Sequence, residues 1–400
     1  MRRLFILICL FIASNLHSQK VVSYDTITPL ENYNFILGTN CIGGSYQFSN
    51  ESKLVEQAKH TRGMGSNIIK ISLGPNSIKS YNLKVDKKPT TTLELFKSSP
   101  EYKKVFDMDF KYIQTWVHTA TGIEWKKGIN QEQEKILYDE MFSFATYLLK
   151  EYNNTGKTFL IGNWEGDWLL HPNYKRDVSP SEEHIQNMTK WFQIRQQAID
   201  DAKKAIQSKN VELYYYIEVN LVLKGLKGEN CIAQSILPNV NVDLVSYSSY
   251  EAIKNRTYAQ KKEQLEQVFN YLEKQLQPKN NLPFSRRVFI GEYGYHANIT
   301  KPDSFKKQYD ETKEIMQISL ELNLPFALHW QMYNNEYENG VSKEMSLINE
   351  NGERTPLYYL HKNYYKAMND YLVEFKKKQK KYPSKNEFNK KALTVLQELK

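Results

Sequence analysis

Between about residue 34 and residue 375, short apolar runs with strand character alternate with longer amphipathic stretches. This alternation constrains the fold more than any other feature. Strands separated by helices pair in parallel, and a parallel sheet needs helices over its faces. The strand-like runs fall at 35–38, 67–72, 112–118, 158–163, 212–219, 242–247, 287–291 and 326–330. Helical patterns cover 51–60, 132–151, 181–208, 258–276, 304–322 and 358–378. Ser179-Pro180 with Glu182-Glu183 opens one of them, and Pro278 and Pro325 follow the ends of two others, as start and stop signals should. Eight strands in series, each followed by a helix or a helix-bearing connection, predict an α/β fold of the (β/α)8 TIM-barrel kind. An open, doubly wound sheet is the alternative. It would carry a glycine-rich phosphate turn after its first strand, and Cys41-Ile42-Gly43-Gly44 does not have that form. One barrel domain is expected over 20–379. Ser384 and Glu387 are spaced as a capping box and open a short helical extension over 380–400.

The chain begins with Arg2 and Arg3, an apolar run from Leu4 to Ala13, and a small residue at Ser18. That is the pattern of a cleavable signal peptide over 1–19, and the run is too short to span a bilayer. Ile8 before Cys9 lacks the small side chain that lipidation would need. A secreted or periplasmic protein follows. Only Cys41 and Cys231 remain after cleavage, so one disulfide is possible but no disulfide framework is. The net charge of +9 owes much to the lysines at 376–378, 380–381 and 390–391. They read as a solvated face of terminal helices. No basic patch interleaved with aromatics accompanies them, so no nucleic-acid partner is expected. The oligomeric state is left open.

A barrel carries its working residues at the C-terminal ends of its strands. Glu292 follows the apolar run ending at Gly291. Strict alternation gives it the parity of Val288 and Ile290, and that row is expected to point into the barrel mouth. Glu165 occupies the matching place after the fourth strand, within Asn163-Trp164-Glu165-Gly166-Asp167-Trp168. Indole faces stack on sugar rings, and carboxylates bind hydroxyls or move protons, so Trp168 and its neighbours suggest a carbohydrate site. Two carboxylates from strands four and seven would face each other across the mouth. Glycoside hydrolysis needs such a pair: one to protonate the leaving oxygen, one to attack the anomeric carbon or activate water. His118 ends the third strand and either binds substrate or serves the structure. Glu218 and Asn220 share parity on the fifth strand; they reach the site or pair with Lys70. His329 should pack behind its strand. No metal-ligand spacing is present, and no cofactor or metal is expected.

These motifs resemble those of the cellulase-like, clan A glycoside hydrolases over most of the mature chain. VFIGEYG is similar to the nucleophile strand of that group, with Glu292 in the nucleophile place. NWEGDW is similar to its acid/base strand, with Glu165 as acid/base. SNIIKIS resembles the second strand, where Lys70 stands for an arginine that supports the nucleophile. LHWQMYN resembles the eighth, where Trp330 would floor the first sugar subsite. SYSSY resembles the sixth, bringing Tyr250 and Tyr247 toward the nucleophile. SLINENGERTPLYY resembles the segment before the closing helix. In that group an asparagine directly precedes the acid/base and binds the sugar 2-hydroxyl. Here Trp164 separates Asn163 from Glu165, so either a bulge restores the geometry or the sugar is bound differently, with Asp167 as the stand-in acid.

The resemblance implies a secreted, retaining hydrolase of O-glycosidic bonds acting on a carbohydrate. A sugar-binding barrel without catalysis and a different barrel hydrolase remain open. Sugar identity, linkage and endo or exo action depend on loops at 75–100, 171–180 and 334–352. Export is tested directly by N-terminal sequencing of protein from its native host. The mature chain is expected to start near Gln19 or Lys20, and an intact Met1 would contradict it.

Overall fold

The computed structural model describes residues 22–301 and 303–399; the expected signal peptide lies outside the described residues. Eight strands form a closed barrel: β1 (Leu37–Asn40), β2 (Ile68–Leu73), β3 (Tyr112–Val117), β4 (Thr158–Gly162), β5 (Glu212–Val219), β6 (Leu244–Ser248), β7 (Val288–Tyr293) and β8 (Ala327–His329). Every neighbouring pair is parallel, and β8 returns to β1 with Leu37 opposite Ala327. The predicted TIM barrel is the observed fold. Its first strand starts two residues later than the sequence suggests, because Ile36 takes a left-handed backbone (φ 70°) that no strand continues through.

Each strand feeds a packed layer on either side. Outward residues such as Ile69, Ile71, Tyr215, Val245, Ile290 and Tyr293 join the cluster shared with the helices. Inward residues Ile68, Tyr112, Leu160, Tyr214, Leu244, Phe289, Phe326 and Leu328 fill the barrel. Gly162 marks how tight that filling is. A Cβ there would lie 2.3 Å from the ring of Tyr216, so this strand position cannot carry a side chain while the tyrosine occupies the interior.

Helices Lys53–Met64, Gln131–Glu151, Glu182–Ala205, Tyr258–Gln275, Asp303–Glu321 and Pro356–Gln379 surround the barrel. Ser52, Asn130, Ser181 and Thr257 accept bonds from the first-turn amides of four of them. The segment expected as a loop at 75–100 is largely helical, with Pro75–Ser80, Thr92–Ser98 and Pro100–Asp107. These pieces are too short for a periodic apolar stripe, and prolines open two of them. The capping box at Ser384 and Glu387 is formed and starts helix Lys385–Glu398. That helix buries Phe388, Ala392, Val395 and Leu396, with Phe388 packed on Tyr33 and Phe35 ahead of β1. Cys41 and Cys231 are both buried free thiols, so no disulfide joins them. Among the described residues no helix is long and apolar enough to cross a membrane.

Candidate active site

The barrel interior changes character above its apolar floor. Lys70 on β2 and Glu218 on β5 form an ion pair at 2.6 Å with both side chains fully buried. Glu218 spends each carboxylate oxygen twice. One accepts from Lys70 and from the Ser246 hydroxyl at 2.7 Å. The other accepts from the Trp116 indole at 2.9 Å and from the backbone N–H of Glu165 at 3.3 Å. Lys70 lies 4.3 Å from the centroid of the Trp116 ring, a cation–π contact that further offsets its burial. Of the two roles the sequence allows Glu218, the structure has the buried pair.

Glu292 enters the mouth by a route that strict alternation does not provide. Val288 and Ile290 face the helices, and Phe289 faces the interior. Continued alternation would send Glu292 outward with them. Instead β7 carries one extra residue against both neighbours: Tyr247 pairs with Ile290 but Ser248 pairs with Glu292, and the β8 register shifts at the same point. This bulge re-aims Glu292 inward. It is held by its own groups: the Gly291 carbonyl accepts from Asn40 Nδ2 at 3.1 Å and Lys70 Nζ at 3.3 Å, and the Glu292 carbonyl accepts from Ser249 N and Oγ, both at 2.9 Å. Only glycine fits at 291, since a Cβ would lie 1.8 Å from Ser246 Oγ and 2.7 Å from Glu218.

The two glutamates converge. The Ser248 hydroxyl lies 2.6 Å from Glu165 Oε1 and 3.5 Å from Glu292 Oε2, so these two carboxylate oxygens lie at most about 6 Å apart. Lys70 Nζ stands 3.6 Å from Glu292 Oε1, an oxygen with no hydrogen-bond partner. Burial pushes the Glu165 carboxyl up to about 7, against the Ser248 bond that favours its charge and with the help of Glu218. Burial likewise drives Glu292 up, opposed by Lys70 and reinforced by Glu165, Glu218 and Glu336. Two carboxyls this close cannot both ionise freely.

The remaining expected residues divide. Trp330 faces inward, 6.1 Å from Trp116, and its buried indole nitrogen has no partner. Tyr250 lies near the pair: burial first, then the charges of Glu292 and Glu165, push its hydroxyl well above the ordinary tyrosine value. His118 has the inward parity of Trp116; burial, then Arg195, lower it to about 4, so its ring is neutral. Asn220 points inward with an unpartnered side-chain oxygen. Trp168 is partly buried in the helical turn Gly166–Leu170 beside Glu165. His329 packs behind β8 against His361 and Tyr293, as expected.

Three expectations are corrected. Tyr247 lies behind β6, fully buried against Phe269 with its hydroxyl on Glu251, because its neighbours Ser246 and Ser248 take the inward parity. Asn163 is not available to a sugar: its amide nitrogen donates to the carbonyls of Trp164 and Glu218, and its oxygen accepts from Glu218 N. Asp167 is not a stand-in acid, since its oxygens accept the backbone N–H groups of Asn220, Leu221 and Ile232 at 2.7–3.0 Å and tie two mouth loops together. Sequence reading also missed Ser248, Trp116 and Asn40. The inward parity of β3 and β6 was the available signal for the first two. Among the described residues no cluster of three or more His, Cys, Asp or Glu side chains could hold a metal ion.

No family model matches the chain, and none of the curated proteins matches it. Among solved structures, a family 39 glycoside hydrolase from the gut symbiont Bacteroides cellulosilyticus WH2 is similar at 12% identity and a TM-score of 0.50, over 85% of this chain and 66% of that one. A Bacteroidetes-affiliated GH5 cellulase linked with a polysaccharide utilization locus is similar at 13% identity and a TM-score of 0.50, over 91% of both chains. The closed (β/α)8 barrel is the fold this chain shares with them. At such identities the likeness carries the fold alone, and this chain spans just under two thirds of the first protein. What the site does must be argued from its own groups.

The raised Glu165 carboxyl makes a stability prediction independent of activity. Its ordinary value is 4.5 and its folded value about 7, so the folded state binds the extra proton in that window and stability falls as pH rises through it. Glu165→Gln removes the cost of the buried charge. In thermal unfolding the variant is expected to match wild type near pH 4 and to melt above it at pH 8. A pH-independent difference would contradict the assignment.

Proposed function

We propose that this chain is a secreted glycoside hydrolase that cleaves O-glycosidic bonds of oligo- or polysaccharides with retention of anomeric configuration. The observation that carries the reading is the pair Glu165 and Glu292 sharing one hydroxyl at the barrel mouth. At that separation there is no room for a water between the attacking carboxylate and the anomeric carbon. Lys70 stands beside Glu292, and among the described residues no cation comes within ion-pair reach of Glu165. The negative charge therefore belongs on Glu292 and the proton on Glu165.

In the first step Glu292 attacks the anomeric carbon while Glu165 gives its proton to the glycosidic oxygen, which leaves as an alcohol. The covalent glycosyl-enzyme is then opened by water, whose proton returns to Glu165, and Glu292 leaves as the carboxylate. Trp330 and Trp116 supply indole surface for the sugar. Asn220 Oδ1 and Trp330 Nε1 are buried polar atoms without a hydrogen-bond partner in the protein. Tyr250 bears on Glu292, and neutral His118 and the partly buried Trp168 complete the lining we assign to substrate. Asn163 is left out of that lining, so the 2-hydroxyl contact falls to other groups.

A screen of the mature protein on aryl glycosides and glycans supplies the substrate for the decisive variants. Glu292→Gln is expected to reduce turnover by about 10⁴-fold or more, the scale seen when a catalytic unit is broken. Glu165→Ala should spare substrates whose leaving group needs no proton and should be rescued by azide. An active Glu165→Ala on unactivated glycosides would overturn the assignment.

A further inference from the structure

Glu218 is fully buried, so no substrate can touch it. Its four donors nevertheless lead to every working part of the site. Lys70 connects it to Glu292 and to the carbonyl of the Gly291 bulge. Trp116 connects it to the face opposite Trp330. The backbone N–H of Glu165 connects it to the second carboxylate, and Ser246 closes the set from β6. The ammonium of Lys70 sits 2.6 Å from Glu218 but 3.6 Å from Glu292, whose nearer oxygen makes no hydrogen bond. A lysine without Glu218 would close on that oxygen, because a buried ammonium needs an anion in direct contact.

We propose that Glu218 is the positioning residue of this site: it holds Lys70 back so that Glu292 keeps a free lone pair, and it fixes Glu165 through its backbone. The inference rests on the hydrolase reading for what the two carboxylates do, while the geometry of the diverted lysine stands without it. The titratable groups that face Glu218 are Lys70 from β2, Glu165 beyond β4, Glu292 from β7 and Tyr216 on its own strand; Glu336 acts on the two glutamates from the loop after β8. The charge of Glu218 raises both glutamates. Neutralising it releases Lys70 toward them, and both then ionise more readily.

The test is a carboxyl-carbon NMR titration of the full mature chain labelled at glutamate Cδ, with Glu165 and Glu292 assigned through Glu165→Gln and Glu292→Gln. In folded Glu218→Gln both midpoints are expected to move to lower pH, by about one pH unit or more given the removal of a full buried charge. Unchanged midpoints would overturn the proposal. Glu218→Asp keeps the charge but is one methylene too short to hold the Glu165 backbone. It is expected to leave the midpoints in place and to slow glycosides with poor leaving groups at least about tenfold more than dinitrophenyl glycosides. Equal losses on both leaving groups would also overturn it. If Glu218→Gln does not fold, the aspartate variant decides. A wild-type protein that hydrolyses no glycoside would sink the hydrolase reading, and the titration would still judge the role of Glu218.

Discussion

The buried pair of Lys70 and Glu218 is the interaction on which the site depends. Taking two charges out of water costs several kcal/mol per ion, and only direct contact with further hydrogen bonds offsets it. Both conditions are met, through Ser246, Trp116, the Glu165 amide and the Gly291 carbonyl. Removing one partner from such a pair costs about 3–5 kcal/mol, which gives the pair its grip on the surrounding strands. The pair draws in a polar layer from β2, β3, β5, β6 and β7 where a barrel would otherwise be filled with apolar side chains. It requires glycine at 291, and the bulge that this glycine allows turns Glu292 inward. The fold and the chemistry therefore meet in one network rather than in a scaffold with residues attached.

That dependence explains what could be read in the sequence. The barrel was legible because its signal is repeated eight times, each strand a largely buried run followed by a helix or a helix-bearing connection. Glu165 and Glu292 were legible as strand-end acids in apolar surroundings. The reason given by alternation for the inward aim of Glu292 was wrong, since the row of Val288 and Ile290 faces the helices. The bulge is a matter of register with β6 and β8, and no single strand records it. Tyr247 was misread for a related reason: two serines, unremarkable in composition, took the inward positions on either side of it. Glu218 could be paired with Lys70 on parity, but the division of its two oxygens among four donors is a property of the closed barrel.

The departure at Trp164 now has a physical meaning. Asn163 spends both ends of its amide stitching β4 to β5, and Asp167 does the same for the loops beyond. Both side chains fasten the loop that carries Glu165 to its neighbours. Glu165 is positioned by backbone, through Glu218, and by the Ser248 hydroxyl.

Everything proposed for this site follows from the closeness of Glu165 and Glu292. The stereochemistry of the first product reports that closeness directly, because a close pair forces attack by the carboxylate and a wide pair admits a water. Proton NMR of the anomeric signal in the first minutes of hydrolysis, before mutarotation, is the measurement. Product released in the same configuration as the substrate is the predicted result. Product of inverted configuration would contradict it.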